Sequence, residues 1–184
     1  MWRISLGRLG CLMDGRIGGV SMEKKKVNII LMIICMAIPL LVGIVSAAIT
    51  GDAMLKFGEL NQPPLSPPAW LFPVAWTILY LLMGLSSYFI LVSSPDSDDK
   101  KKAKRVALIT YVLQLCFNFA WCLLFFKLEL YIIAFVWLII MWCLIGCTML
   151  KAFKVSFVAM IMLIPYIIWT TFAGYLNIMI AILN

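Results

Sequence analysis

Histidine is absent from this 184-residue chain, and Asp and Glu together number only eight. The first absence removes the commonest general base and the commonest metal ligand; the second leaves few carboxylates, mostly in polar connections, so hydrolytic and zinc chemistry are disfavoured. The six cysteines (Cys11, Cys35, Cys116, Cys122, Cys143, Cys147) contain no Cys-x-x-Cys spacing and hence no evident redox or metal pair. Cys143 and Cys147, one helical turn apart, read as small packing residues. Ionisable side chains are missing from the interiors of the apolar runs, which argues against a proton-coupled pump or a pore lined by charge. No long internal repeat is present, and the chain is too short for the two-halved plan of many secondary transporters. Nucleic-acid binding has no support, because the net charge of +7 comes from basic residues beside apolar segments, where they set orientation and meet anionic lipid.

What the chain has is apolar surface. Apolar residues make up 65% of it and the mean hydropathy is +1.07, which places it in the lipid bilayer as an integral membrane protein. A hydrocarbon core of roughly 30 Å needs about 20 helical residues. Five runs of that order occur, at 27–49, 69–92, 106–126, 130–150 and 155–182, so the expected fold is all-α, a bundle of five transmembrane helices. Lys24 to Lys26, the five basic residues from Lys100 to Arg105, and Lys151 with Lys154 fall on one side of such a bundle; only Lys56 and Lys127 fall on the other. That bias predicts a cytoplasmic N-terminus and an extracytoplasmic C-terminus. Residues 1–21 fit neither a signal peptide nor a span. They are expected to be a non-native or disordered extension ahead of a functional start at Met22, with 22–184 forming the membrane domain. Mass spectrometry of the untagged product that found residues 1–21 would refute this.

The densest local signal is Pro63 to Tyr80, where Pro63, Pro64, Pro67, Pro68 and Pro73 accompany Trp70 and Trp76. The first four prolines impose a stiff, extended approach, and Pro73 falls where the first turns of a helix tolerate a missing donor. Gln114 and Asn118 stand four apart in the third run with Trp121 close to their face. An amide in hydrocarbon is costly unless bonded, so both must face the bundle interior. They serve either as interhelical glue or as the polar floor of a ligand pocket, and both readings stay open. In the fifth run Pro165, Tyr166, Trp169, Ala173 and Asn177 form one stripe, and Pro165 could bend the helix. Trp137 and Trp142 are read as lipid-facing or packing residues, whereas Trp76 and Trp169 sit beside small or polar neighbours. A cavity walled by indoles suits a flat, apolar, conjugated ligand. Gly43, Ser46, Ala47, Gly84, Ser87, Ala173 and Gly174 permit close helix approach, and such positions also serve homodimers.

Four blocks carry a family resemblance: Pro67-Pro68-x-Trp70; Trp76-Thr77-x-Leu79-Tyr80 with Met83-Gly84; Gln114-Leu115-x-x-Asn118-x-x-Trp121-x-x-x-Phe125-Phe126; and Pro165-Tyr166-x-x-Trp169-x-x-x-Ala173-x-x-Leu176-Asn177. In order and spacing, from about residue 27 onward, they resemble the TspO/MBR (tryptophan-rich sensory protein, or translocator protein) family, in a bacterial-type member of the cell membrane. The resemblance implies a homodimer-forming five-helix bundle with a pocket closed by the first extramembrane loop. It also implies protoporphyrin IX as ligand, with no cofactor required. By position, Trp76 and Trp169 resemble the family's pocket tryptophans, Asn118 its polar pocket residue and Ala173 its affinity-tuning small residue. Phe57, Pro67, Pro68 and Trp70 would belong to the loop, and Gln114, Trp121 and Asn177 complete the expected ligand-binding set. Phe57 replaces a tyrosine and Leu65 a tryptophan of many members, and the sterol-recognition residues of animal members are missing, which disfavours cholesterol. The leading function is porphyrin binding for transport, removal or signalling. The alternative is light- or oxygen-dependent porphyrin breakdown, in which Trp76 or Trp169 supplies an electron or captures a radical. An inert scaffold is the third reading.

Overall fold

Helices α1 (Ile29–Thr50), α2 (Leu71–Val92), α3 (Asp98–Cys122), α4 (Tyr131–Phe153) and α5 (Phe157–Leu183) account for nearly all of the computed structural model, which describes residues 27–51 and 58–184. The expected extension at 1–21, the Lys24 to Lys26 run, Lys56 and Phe57 lie outside the described residues. All five helices are long and apolar enough to cross a bilayer, and no strand occurs among the described residues. At 1.5 Å per residue even the 22-residue α1 reaches about 33 Å, the thickness of the hydrocarbon core. The helices form a ring in which α1 packs on α2, α2 on α5, α5 on α4 and α4 on α3, and α3 closes the circle against α1.

Local chemistry fixes the helix ends. At the basic end Asn28, Ser97 and Ser156 accept from the backbone N–H three residues on, capping α1, α3 and α5. Asp98 and Asp99 add charge that suits the α3 N-terminus. The lysine run therefore lies within α3, whose first turns project beyond the apolar stretch, whereas the sequence pattern places it in a connection. Lys100 pairs with Asp96 at 2.9 Å and holds that exposed carboxyl below the usual carboxylate range, chiefly through the hydrogen bond. At the opposite end α2 and α4 have no side-chain cap. There α3 widens into a π-helical turn, Leu123–Lys127, closed by Leu128 N–H donating to the Leu123 carbonyl at 2.9 Å. Glu129, with φ 55°, then reverses the chain into α4.

Two prolines lie inside helices. Pro39 leaves the Cys35 carbonyl without its intrahelical donor, and it is at this turn that Gly84 of α2 meets α1. A Cβ on Gly84 would stand 2.5 Å from Met36 Cα and 2.7 Å from Cys35 O, so the two backbones touch and only glycine fits. Pro165 lies within α5, which runs as one helix from Phe157 to Leu183. Pro73 occupies the first turn of α2, as its spacing predicts.

Candidate functional site

A cavity of about 380 Å³ opens between α1, α2, the C-terminal end of α3 and α5. Small side chains on one helix face it with large rings on the others. Gly43, Ser46 and Ala47 of α1 make room; Phe72, Trp76 and Tyr80 of α2, Trp121 and Phe126 at the end of α3, and Trp169 and Phe172 of α5 supply the walls. Ala173 lines the same space one turn beyond Trp169. The volume lies in the range of small-molecule sites, roughly 300–1,000 Å³. Ile44 and Ala47 on α1, and Pro73 and Thr77 on α2, line the cavity and are also exposed, so it is open between these two helices.

The rings form one connected set. Trp76 lies 5.6 Å from Tyr80, 6.2 Å from Trp121 and 6.3 Å from Tyr166 between centroids, and Phe72 meets Trp169 edge-on at 6.2 Å. Such offset and edge contacts stiffen the walls. The Tyr80 hydroxyl donates to Asn118 Oδ1 at 2.7 Å, and its ring packs so closely on Gly43 that a Cβ there would collide with it. Trp121 Nε1–H donates to Asn177 Oδ1 at 3.1 Å, while Asn177 Nδ2 donates to the Tyr131 carbonyl at 2.8 Å. Trp169 Nε1 is buried at the cavity with no acceptor among the described residues.

Of the residues expected from sequence, Trp76, Trp121, Trp169 and Ala173 are brought together on the cavity surface. Gln114, Asn118 and Asn177 are fully buried but do not line it. Asn118 and Asn177 stand behind the wall and fix Tyr80 and Trp121 through their amides, because a buried amide finds its nearest partners on neighbouring helices. Pro67, Pro68 and Trp70 lie on the connection before α2 and do not line the cavity; Trp70 is 65% exposed. That connection is fastened to the end of α5: Asn61 N–H donates to Asn184 Oδ1 at 2.9 Å, Asn184 Nδ2 donates back to the Asn61 carbonyl at 3.3 Å, and the Tyr175 hydroxyl donates to the Pro64 carbonyl at 2.7 Å. Trp137 stacks on Phe117, whereas Trp142 is exposed on the outside of the bundle and donates to the Thr171 hydroxyl.

Sequence reasoning left Phe72, Cys122 and Phe172 out of the site and treated Gly43 and Ala47 only as packing residues. The available signal was the i, i+4 spacing of Gly43 and Ala47, which places two small residues on one face opposite a tryptophan-bearing helix.

The profile of the TspO/MBR family matches residues 35–183. The chain belongs to the TspO/MBR family. It is 33% identical over 158 residues to the tryptophan-rich protein TspO of Chlorobaculum tepidum, covering 85% of this chain and 98% of that one. It is 34% identical over 135 residues to the tryptophan-rich sensory protein of Cereibacter sphaeroides, covering 71% of this chain and 80% of the relative. The translocator protein of Bos taurus is 34% identical over 141 residues, covering 76% and 82%. As a TspO/MBR member with five apolar helices, it is an integral membrane protein.

Proposed function

We propose that this TspO/MBR protein binds a flat tetrapyrrole, protoporphyrin IX or a close relative, in the α1–α2–α3–α5 cavity, for its transport, removal or sensing. The observation that carries the reading is the junction of three indoles, Trp76, Trp121 and Trp169, with small residues on the facing helices. Stacking area comes from the rings, and room for a broad plate comes from Gly43, Ala47 and Ala173. A macrocycle larger than the enclosed space can project through the opening between α1 and α2. The Trp169 N–H, which meets no acceptor among the described residues, offers a donor to an acceptor on the ligand. In this reading the proline-rich connection, fastened by Asn61 and Tyr175, is the lid. The basic ends of α3 and α4 face the cytoplasm of a bacterial cell, and the protein works as a homodimer.

A second reading is supported by the contact of Trp76 with both Trp121 and Tyr80. These oxidisable rings could pass an electron to a photo-excited porphyrin in the presence of oxygen and so promote its breakdown. Titration of the purified protein with protoporphyrin IX, followed by illumination, separates the two. Saturable quenching of tryptophan fluorescence with a stable porphyrin spectrum supports binding alone. Light-dependent loss of the porphyrin bands that disappears in Trp76→Phe, with quenching retained, supports breakdown. No saturable quenching refutes both.

A further inference from the structure

On the outside of the bundle, α4 and α5 leave a groove of about 330 Å³ between them. Phe135, Ile139 and Trp142 of α4 line it with Thr171, Gly174 and Tyr175 of α5. Ile139, Trp142 and Thr171 are exposed, so the groove opens outward; both helices are spans, so it opens to hydrocarbon. Two hydrogen bonds set the antiparallel register along it. Asn177 Nδ2 donates to the Tyr131 carbonyl at 2.8 Å near the cavity end, and Trp142 Nε1–H donates to Thr171 Oγ1 at 2.9 Å deeper in the bundle. Between these rungs a Cβ on Gly174 would stand 3.4 Å from the Leu138 side chain and 3.9 Å from that of Phe135, so the glycine is the floor. The slot runs from Phe135 and Tyr175 to Trp142, roughly 10 Å at 1.5 Å per residue.

Trp142 is the middle residue of the 23-residue α4, Tyr131–Phe153. A lipid-facing indole usually lies at the membrane interface, where water meets its N–H. At mid-span that N–H needs a protein acceptor; Thr171 supplies it and pins the ring across the seam as the inner end wall of the groove. The other hydroxyl hydrogens are committed too. Thr171 donates to the Ile167 carbonyl at 2.8 Å, Thr170 to the Tyr166 carbonyl at 3.0 Å and Tyr175 to the Pro64 carbonyl at 2.7 Å. Among the described residues that line the groove none is charged. An occupant therefore meets carbon and no free donor, which selects an apolar chain over water, an ion or a polar ligand. Width narrows the choice further. A helix is about 10–12 Å across with its side chains, too broad for a slot between two packed helices with axes roughly 8–10 Å apart, whereas a single acyl chain is narrow enough. Depth agrees, since the groove starts towards the cavity-end surface and stops at mid-span, the path of an acyl chain from headgroup to terminal methyl.

We propose that the α4–α5 groove seats one acyl chain of a phospholipid from the leaflet at the cavity end, and that the seated chain braces Tyr175 against the connection before α2. Tyr175 is the shared part: its ring lines the groove and stacks on the cavity-wall residue Phe172 at 6.2 Å, while its hydroxyl holds the Pro64 carbonyl.

The test combines native mass spectrometry with hydrogen exchange on the full chain purified in detergent, with dioleoylphosphatidylcholine as the probe. One phospholipid retained per chain is expected, with slower exchange over residues 59–66 when the lipid is added. Gly174→Leu raises the groove floor and should weaken retention by about tenfold and remove the slowing. Ile34→Trp, on the exposed face of α1, should change neither. Should Gly174→Leu not fold, Ile139→Trp adds bulk at an exposed wall of the groove and takes its place. A wild-type chain that retains no phospholipid, or whose exchange is indifferent to it, overturns the proposal without any variant. Retention unchanged by the groove variant, or equally lost in Ile34→Trp, also overturns it. Lost self-association in the groove variant with lipid retention intact would assign the groove to a second copy of the chain and overturn it as well.

Discussion

The two ends of the bundle are built on opposite rules. At the basic end, small side chains draw the helices together: Ala107, Ala152 and Ala159 pack with Ile90, all fully buried, and Ser86 donates to the Ala159 carbonyl at 2.7 Å. The Thr148 hydroxyl donates to Thr110 at 2.8 Å, and three helix N-termini carry side-chain caps. At the other end, small residues face large rings across a gap, the helices lack such caps, and a cavity remains. The same residue types thus do two things. A glycine or alanine opposite another small residue or a backbone closes an interface, and one opposite a large ring on the next helix leaves room beside it.

Gly84 and Gly43 put that contrast to the test, since both mark contacts of α1 with α2. Gly84→Ala brings its methyl against the α1 backbone, which cannot swing aside, and should destabilise the protein by about 1–3 kcal/mol or more. A lowered melting temperature in detergent is expected, and wild-type melting would break the claim that this end is close-packed. Gly43→Ala meets only the Tyr80 side chain, which can rotate. Its expected effect is a smaller cavity, with about tenfold weaker porphyrin binding, equivalent to ~1.4 kcal/mol, and a smaller change in melting. Tyr80→Phe sharpens the account further, because it leaves the Asn118 carbonyl unmet inside the bundle. A loss of about 1 kcal/mol in stability is expected, read from the denaturation midpoint.

The smallest expected effect falls on the connection. Leu65, 81% exposed with φ 70°, occupies the third position of a turn in which Ser66 N–H donates to the Pro63 carbonyl at 3.1 Å. That position favours glycine. Leu65→Gly should stabilise the protein by less than about 1 kcal/mol, because relief of the left-handed backbone is offset by the added freedom of the unfolded chain. A melting temperature clearly below wild type would mean that the leucine side chain holds the connection in place.

The five spans were legible because bilayer thickness and hydropathy leave a run such as Ile29–Thr50 no other solution. The start of α3 was not, since Asp98 to Arg105 is too polar to read as part of a span although Ser97 caps it as helix. The π-helical turn carries no local signature in Leu-Leu-Phe-Phe-Lys; what surrounds it is packing of Phe125 on Trp121 and Tyr131. The interior position of Gln114 and Asn118 was legible from the cost of amides in hydrocarbon. Whether they face a ligand or hold its wall depends on the Tyr80 ring, whose placement is fixed by Gly43 on another helix.

The central claim is that the cavity end is where the ligand sits. The dissociation constant of protoporphyrin IX, measured for the wild type and Ala173→Thr alongside their melting temperatures, tests it most directly. Ala173 lines the cavity, so the added bulk should weaken binding by about tenfold or more while melting stays close to wild type. Unchanged affinity in a folded Ala173→Thr protein would contradict the account.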